Sequence, residues 1–190
     1  HLDGARLFNA VVATGVAADR WSSHFDTVSV CFSKGLGAPV GSALAGTHEH
    51  IRKARRHRKL FGGGMRQAGV IAAGALYALE HHIDRLAEDH ANAKRLADAI
   101  RAIDGFSLEP EEVDTNIVIF GIAPHLGTAA DVATRLQERG LLMLAISERQ
   151  IRAVTHLDVN AEDVAAASQI LAAVAKTKPG KSDGDAKRRR

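Results

Sequence analysis

A lysine follows a short β-prone run and precedes a glycine. Lys34 comes directly after TVSVCFS, residues 27–33, and is flanked by Ser33 and Gly35. Glycine gives the backbone the freedom that the close approach of a bulky ligand requires. A lysine amine removed from water is deprotonated more easily and can then form a Schiff base with a carbonyl compound. An ordinary solvated lysine in a turn fits the same residues.

Arg152 is a second candidate for ligand binding. The segment IRAVTHLD, residues 151–158, alternates so that Arg152 and Val154 share one face of a predicted strand. A planar guanidinium binds a carboxylate through two parallel hydrogen bonds, which lysine does less specifically. An arginine on an edge strand that faces water also fits this pattern.

The sequence lacks the motifs of three other kinds of binding site, namely those for nucleotides, metal ions and nucleic acids. The segment GGGMRQ, residues 62–67, has no Gly-Lys-Ser/Thr ending and therefore does not match a phosphate-binding P-loop. The ten histidines form no HExxH or Cys/His group, and the adjacent His81 and His82 diverge on a helix, so no metal is expected. The basic run from Arg52 to Lys59 has no interleaved aromatic residues and is interpreted as a solvated helix face.

Periodicity predicts the elements that carry these residues. Two strands, 27–33 and 40–46, flank the Lys34 turn. A long helix follows the glycines at 62–64. Its first part, Val70–Leu79, is apolar on all sides and is expected to be buried. The apolar stripe between residues 83 and 100 is typical of a half-exposed helix, which we expect to bridge two domains.

The C-terminal part is predicted to be a compact α+β unit. Its order is strand, strand, helix, strand, strand, helix, over residues 106–109, 116–121, 130–139, 141–146, 151–157 and 161–177. Asn160 fits the N-cap of the last helix, with Asp163 three residues later. We predict four parts: a larger α/β domain at 1–82, a bridging helix at 83–104, a small α+β domain at 105–177 and a disordered basic tail at 178–190.

Composition favours a globular protein with a core. Of the 190 residues, 46% are hydrophobic and 25% are charged, which excludes a disordered or fibrous chain. The formal charge of +3 comes from residues 176–190, which carry +5, so residues 1–175 carry −2 and no nucleic-acid partner is expected. The best apolar run, 70–79, is shorter than the roughly 20 residues of a membrane span, so no membrane association is expected. The single Cys31 and the missing leader favour a cytoplasmic location.

Four segments together resemble the signature segments of threonine aldolases, which are pyridoxal-phosphate (PLP) enzymes. They are HLDGARLFNA (1–10), SVCFSKGLGAPVGSALAG (29–46), GGGMRQAG (62–69) and IRAVTHLDV (151–159), and they occur in the family's order. The resemblance extends over about the first 175 residues. It implies an α/β fold, PLP-dependent fold type I, with part of the large domain followed by a C-terminal α+β small domain. The chain starts like the interior of a domain, so we expect it to be the C-terminal part of a longer protein.

The same resemblance implies roles for five residues. Asp3, Arg6 and Lys34 would bind the cofactor: Lys34 holds PLP covalently, and Asp3 pairs with the pyridine nitrogen. A carboxylate there keeps the ring protonated, so that it accepts electrons from the substrate α-carbon. Arg152 would bind the substrate carboxylate, and Arg66 would lie near the substrate or reach a neighbouring subunit. Without Lys34, Asp3 fits a plain turn, and Arg6 fits a surface charge.

The implied reaction is the retro-aldol cleavage of threonine or allo-threonine to glycine and acetaldehyde, in a homodimer or homotetramer. Another fold type I PLP enzyme, a beta-eliminating lyase or an aminotransferase, is the first alternative, because it would share the lysine and the aspartate. An inactive fragment whose basic tail contacts nucleic acid is the second. The residues assign neither the stereochemical preference nor the general base. In the family, the residue that stacks on the ring and much of the phosphate cup precede the DGAR segment.

Overall fold

The computed structural model describes residues 1–177. They form two compact units, of which the first contains residues 1–90 and 156–158 and the second contains residues 91–155 and 159 onward. The basic tail predicted at 178–190 lies outside the described residues. The domain boundaries predicted at residues 82 and 104 stay a prediction.

The first unit contains a three-stranded sheet. Its elements are β1 (Leu2–Gly4), α1 (Leu7–Thr14), α2 (Ala18–Ser22), β2 (Thr27–Cys31), β3 (Ser42–Gly46), α3 (His48–Leu60) and α4 (Gly69–His81). The sheet order is β1-β2-β3, with β1 parallel and β3 antiparallel to β2. Ser29 in the central strand lies opposite Asp3 on one side and Leu44 on the other. The predicted arrangement of strand, turn and strand around Lys34 is therefore confirmed.

The core of this unit includes the turn that follows Lys34. Its buried residues are Leu36, Ala38, Ala78 and Leu86, and the partly buried residues packed against them are Phe8, Val12, Phe32, Leu79 and Ile83. The Lys34 turn thus inserts apolar side chains between α1 and the α4 region. Burial of this apolar surface adds to the stability of the turn.

The prediction of one continuous helix after the triple glycine is wrong. Helix α4 ends at His81, and a separate helix, α5 (Leu86–Arg101), begins after a short turn. The apolar positions continue across the break because the turn residue Ile83 also packs on the core. No helix in the described part of the chain, α4 included, is long and apolar enough to cross a bilayer.

The prediction that Val70–Leu79 is buried on all sides is also wrong. Only Ala75 and Ala78 are buried on α4, whereas Val70, Leu76 and Tyr77 are 86%, 56% and 58% exposed. An apolar composition shows that a helix can be covered, but not which of its faces has a neighbour. Within residues 1–177, only one face of α4 packs against neighbouring residues.

The second unit is an antiparallel sheet covered by helices. Its elements after α5 are β4 (Phe106–Leu108), β5 (Ile117–Ile122), a 3-10 turn (Pro124–Leu126), α6 (Ala129–Gln137), β6 (Leu144–Ala145), β7 (Gln150–Val154) and α7 (Ala161–Ala175). The strand order is β4-β5-β7-β6. Alternate residues, among them Val118, Phe120 and Ile151, are buried against α5, α6 and α7. The predicted order of elements is confirmed.

Two predicted strands of this unit are shorter than expected. The strand predicted at 141–146 has only two paired residues, and the one predicted at 151–157 ends at Val154. Thr155 still donates its N–H to the carbonyl of Asn116, 3.0 Å away, but His156 is exposed and has left the sheet. The predicted cap of α7 is confirmed, since Asn160 Oδ1 accepts from the N–H groups of Glu162 and Asp163.

Candidate functional site

Asp3 and Lys34 lie at the same edge of the first sheet. Strands β1 and β2 run parallel, so their carboxyl ends meet at one edge. Asp3 is the central residue of β1, and Lys34 follows the last residue of β2, Cys31, by three positions. In open α/β sheets, ligands bind outside the carboxyl ends of parallel strands. The backbones of Asp3 and Lys34 are therefore near the sheet edge at which a ligand site is expected.

A close approach of the two strands requires the glycine of DGAR. A Cβ atom on Gly4 would lie 2.5 Å from the carbonyl oxygen of Ser29 and 3.2 Å from Val28 Cγ1. The carbonyl belongs to the backbone of β2 and cannot rotate away. Gly4 thus lets β1 pair with β2 and sets the position of its neighbour Asp3.

The Asp3 side chain is exposed and closes the turn that leads into α1. Its Oδ1 atom accepts a hydrogen bond from the N–H of Ala5, 3.2 Å away. Arg6 is half-buried and is the N-cap residue of α1. A carboxylate and a guanidinium are thereby placed at the carboxyl end of β1, on the edge that carries Lys34.

The Lys34 turn has a fixed backbone and an open side chain. The N–H of Gly37 donates to the carbonyl of Lys34 at 2.9 Å. Leu36 is buried, and its carbonyl oxygen lies 2.6 Å from His82 Nδ1. Because a carbonyl oxygen only accepts, this nitrogen of His82 carries the proton. The Lys34 side chain itself is exposed and available to a ligand.

Arg66 lies in the exposed segment between α3 and α4. It forms no hydrogen bond or ion pair with any residue between 1 and 177. The structure does not join it to Asp3 or Lys34 by a contact.

Arg152 lies in the second unit, on strand β7. It is opposite Ile119 of β5 and Leu144 of β6, so β7 is an internal strand and the interpretation of an edge-strand arginine is wrong. Its neighbours Ile151 and Ala153 are buried, whereas Arg152 and Val154 are half-buried. The guanidinium is therefore on the face opposite the core, as the alternation predicts.

Two polar residues that contact the Lys34 turn, Asn9 and His82, are not among the site residues predicted from the sequence. Asn9, on α1, is 2% exposed, and its Nδ2 atom lies 3.1 Å from Nε2 of the buried His90. A lone asparagine within the apolar segment LFNAVVAT is the signal that points to it. The bond of His82 to Leu36 has no local signal, because 46 residues separate the two.

No metal centre accompanies these groups within the described residues. Between residues 1 and 177, no three His, Cys, Asp or Glu side chains are grouped so that they could hold an ion.

Comparisons with known proteins identify relatives over most of the chain. The family described as Beta-eliminating lyase matches residues 1–123. Low-specificity L-threonine aldolase 1 of Arabidopsis thaliana is 41% identical over 165 residues, which are 86% of this chain and 46% of that protein. The low specificity L-threonine aldolase of Escherichia coli (strain K12) is 41% identical over 165 residues, 87% of this chain and 47% of that protein. The chain spans about half the length of the curated relatives it matches.

A solved structure agrees with these relatives. The crystal structure of a protein from Exiguobacterium sp. 255-15, assigned as an aromatic amino acid beta-eliminating lyase/threonine aldolase, has a TM-score of 0.76 at 26% identity. The similarity covers 92% of this chain and 52% of that one. The predicted α/β fold of PLP-dependent fold type I and the resemblance to threonine aldolases are confirmed. Because the family match covers more than half of the 190 residues, the chain belongs to the beta-eliminating lyase family.

Proposed function

We propose that the protein uses PLP to cleave threonine and allo-threonine to glycine and acetaldehyde. The observation that carries the proposal is the position of the Asp3 carboxylate and the Lys34 amine at the carboxyl edge of one parallel strand pair. The relatives named as low-specificity L-threonine aldolases support this reaction over that of an aminotransferase.

The residues at this edge fit PLP. Lys34 offers an exposed primary amine, which is the group that binds an aldehyde. Asp3 offers an exposed carboxylate suited to a pyridine nitrogen, on the same edge. Arg6, at the first turn of α1, adds positive charge that suits an anionic cofactor.

The chain's own residues would bind and orient the reactants. When bound, PLP supplies a ring that accepts the electron pair left at Cα when the Cα–Cβ bond breaks. Asp3 would hold a proton on the ring nitrogen, and Lys34 Nζ would hold the cofactor. Arg152 would grip the α-carboxylate through two parallel hydrogen bonds, with Arg66 also near the substrate. In the net reaction the hydroxyl group loses its proton to become the aldehyde, and Cα gains one.

We further propose that the protein forms a dimer or tetramer and acts in the cytoplasm. Three large apolar side chains on α4, Val70, Leu76 and Tyr77, are exposed, and they support self-association because exposed apolar surface is a common site of protein association. Cys31 is a free, half-buried thiol, which suits a reducing compartment. No binding to nucleic acid or membranes is proposed.

Product analysis tests the reaction. The full-length, PLP-loaded protein should convert L-threonine and L-allo-threonine to equal amounts of glycine and acetaldehyde. Ammonia with a keto acid would instead identify an eliminating lyase, and transfer of the amino group to an added keto acid would identify an aminotransferase. Salt-sensitive binding of DNA or RNA, without turnover, would favour the non-catalytic alternative.

Borohydride reduction tests the lysine. Reduction of the PLP-loaded protein, followed by peptide mapping, should place the label on Lys34 and leave the exposed Lys53 of α3 unmodified. A label on any other lysine would contradict the assignment of Lys34, whatever products are formed.

A further inference from the structure

The backbone next to Lys34 rests on the side chain of Asn9. Gly35 is buried, and a Cβ atom added to it would lie 2.6 Å from Asn9 Oδ1 and 3.2 Å from Leu86 Cδ2. No side chain larger than hydrogen fits there without displacing one of these groups. The amide of Asn9 therefore sets how closely the Lys34 turn approaches α1.

Asn9 is held in place by a hydrogen bond to a buried histidine. Its Nδ2 atom lies 3.1 Å from His90 Nε2, and both residues are buried. An amide nitrogen only donates, so His90 Nε2 accepts in this arrangement. A buried amide that loses its partner costs free energy, which keeps Asn9 in this rotamer. Gly35, Asn9 and His90 thus form a stack from the turn to helix α5.

Backbone hydrogen bonds within the turn transmit any displacement of Gly35 to Lys34. The N–H of Ala38 donates to the carbonyl of Phe32 and that of Gly37 donates to the carbonyl of Lys34, both at 2.9 Å. These bonds make residues 32–38 a tight unit, so that it shifts as a whole rather than at one residue. The direction of Lys34 Nζ therefore depends on the Asn9 side chain that contacts Gly35.

We propose that Asn9, braced by His90, is a positioning residue for the amine of Lys34. This inference rests on the proposed role of Lys34, but it concerns a different contact. A purely structural role for the pair would lower stability without changing the chemistry of the Lys34 amine. A positioning role would instead change the reactivity of the Lys34 amine.

A double-mutant cycle between Gly35 and Asn9 separates these two roles. Gly35→Ala should displace the turn from the Asn9 side chain and lower kcat by about 10- to 100-fold, because an ångström-scale displacement of a reacting group costs that much. Adding Asn9→Ala removes the amide atoms that the new Cβ would meet and leaves the contact with Leu86 Cδ2 at 3.2 Å, so it should restore most of the loss. KM should change little in Gly35→Ala and in the double variant, since Arg152 is the residue proposed to bind the substrate carboxylate.

A second readout uses cofactor-free protein. The rate at which acetic anhydride modifies Lys34, measured by mass spectrometry relative to Lys53, should change in Gly35→Ala and Asn9→Ala and recover in the double variant. His90→Gln keeps an acceptor for the amide and should behave like the wild type, whereas His90→Ala should resemble Asn9→Ala. These histidine variants also test the inference if a substitution at Asn9 prevents folding.

The matched control is Asn116→Ala, in the second unit. Asn116 is 1% exposed and donates Nδ2 to the carbonyl of Thr155 at 2.8 Å, so it is also a buried asparagine with a hydrogen bond. It should lower the unfolding temperature without altering Lys34 acylation. Additive effects in the cycle, or equal effects of Asn9→Ala and Asn116→Ala on Lys34, would overturn the inference. Borohydride labelling at another lysine would overturn the proposed function but leave the acylation result valid.

Discussion

Arg85 and Asp89 form an ion pair in which the carboxylate is fully buried. Arg85 Nη2 lies 2.8 Å from Asp89 Oδ1, and Nη1 lies 3.3 Å from Oδ2. The two residues are one helical turn apart, where the connection after α4 enters α5. A carboxylate excluded from water stays charged at low cost only when a cation compensates it. The guanidinium therefore fixes the start of α5, the helix that also carries His90.

Arg85→Met should lower the free energy of unfolding by about 3 kcal/mol, because removal of one partner strips a buried carboxylate of its compensating charge. Lys53→Met is the control, since it removes an exposed pair with Glu49 at 2.7 Å. That loss should be below about 0.5 kcal/mol. Urea denaturation measures both, and equal losses would show that the Asp89 pair is no stronger than a surface pair.

Gly4→Ala should separate β1 from β2. The added Cβ would lie 2.5 Å from a backbone oxygen of Ser29, so the strands must move apart. We expect a loss of about 2 kcal/mol from overpacking, together with weaker PLP binding, because Asp3 moves with β1. Gly69→Ala, at the start of α4, is the control: its Cβ meets nothing within 4 Å. It should be neutral or stabilising by up to about 1 kcal/mol. Unchanged PLP affinity in Gly4→Ala would contradict the role given to this edge.

The parts of the fold that depend on neighbouring residues are predictable from the sequence. The run Thr27–Cys31 is rich in β-branched residues, and the glycines after Lys34 mark the turn. The order of strands and helices in the second unit follows in the same way from local periodicity. The Asn160 cap depends only on residues up to three positions away.

The parts that depend on distant residues are not predictable in this way. The apolar sequence of α4 does not say which face has a neighbour, so the expected burial of Val70 and Leu76 is wrong. Asn9 meets His90 across 81 residues. Whether Arg152 lies inside or at the edge of a sheet depends on the strand order, which no local pattern contains. The roles of the five site residues come from family resemblance and stay predictions.

Leu76→Glu on α4 should weaken self-association. Burial of one leucine contributes about 1.5–3 kcal/mol, so the dissociation constant should rise by roughly 10- to 100-fold. Sedimentation velocity over a concentration series measures this. Glu80→Gln, at an exposed polar position of the same helix, should leave the mass unchanged. If neither variant dissociates, the exposed face of α4 is not the surface through which copies associate.

Arg152→Lys should raise KM for threonine. Lysine keeps the charge but loses the two parallel hydrogen bonds, and bonds to charged groups contribute about 1.5–3 kcal/mol, so a 10- to 100-fold increase is expected. Stability should not change, because Arg152 faces away from the core. Arg139→Lys is the control, since the side chain of Arg139 is exposed and donates to the carbonyl of Arg135. An unchanged KM in Arg152→Lys would remove Arg152 from the substrate site.

Thr128 and Asp131 cap α6 through reciprocal hydrogen bonds. Thr128 Oγ1 donates to Asp131 Oδ2 at 2.7 Å, the N–H of Thr128 donates to the same oxygen at 2.9 Å, and the N–H of Asp131 donates to Thr128 Oγ1 at 3.2 Å. The hydroxyl of Thr128, and then its N–H, lower the pKa of the Asp131 carboxyl below its ordinary value. These bonds stabilise the charged form.

The sign of the pH dependence follows from this direction. A carboxyl with a lowered pKa in the folded state contributes stability above its unfolded-state pKa, near 4, and loses it as the pH falls through the folded-state value. Thr128→Ala should therefore cost about 1 kcal/mol at neutral pH, and its deficit should shrink below about pH 4. Thr128→Ser keeps the hydroxyl and should follow the wild type throughout. Urea titrations across this pH range measure the difference, and a deficit that stays constant would show that Asp131 contributes nothing through its charge.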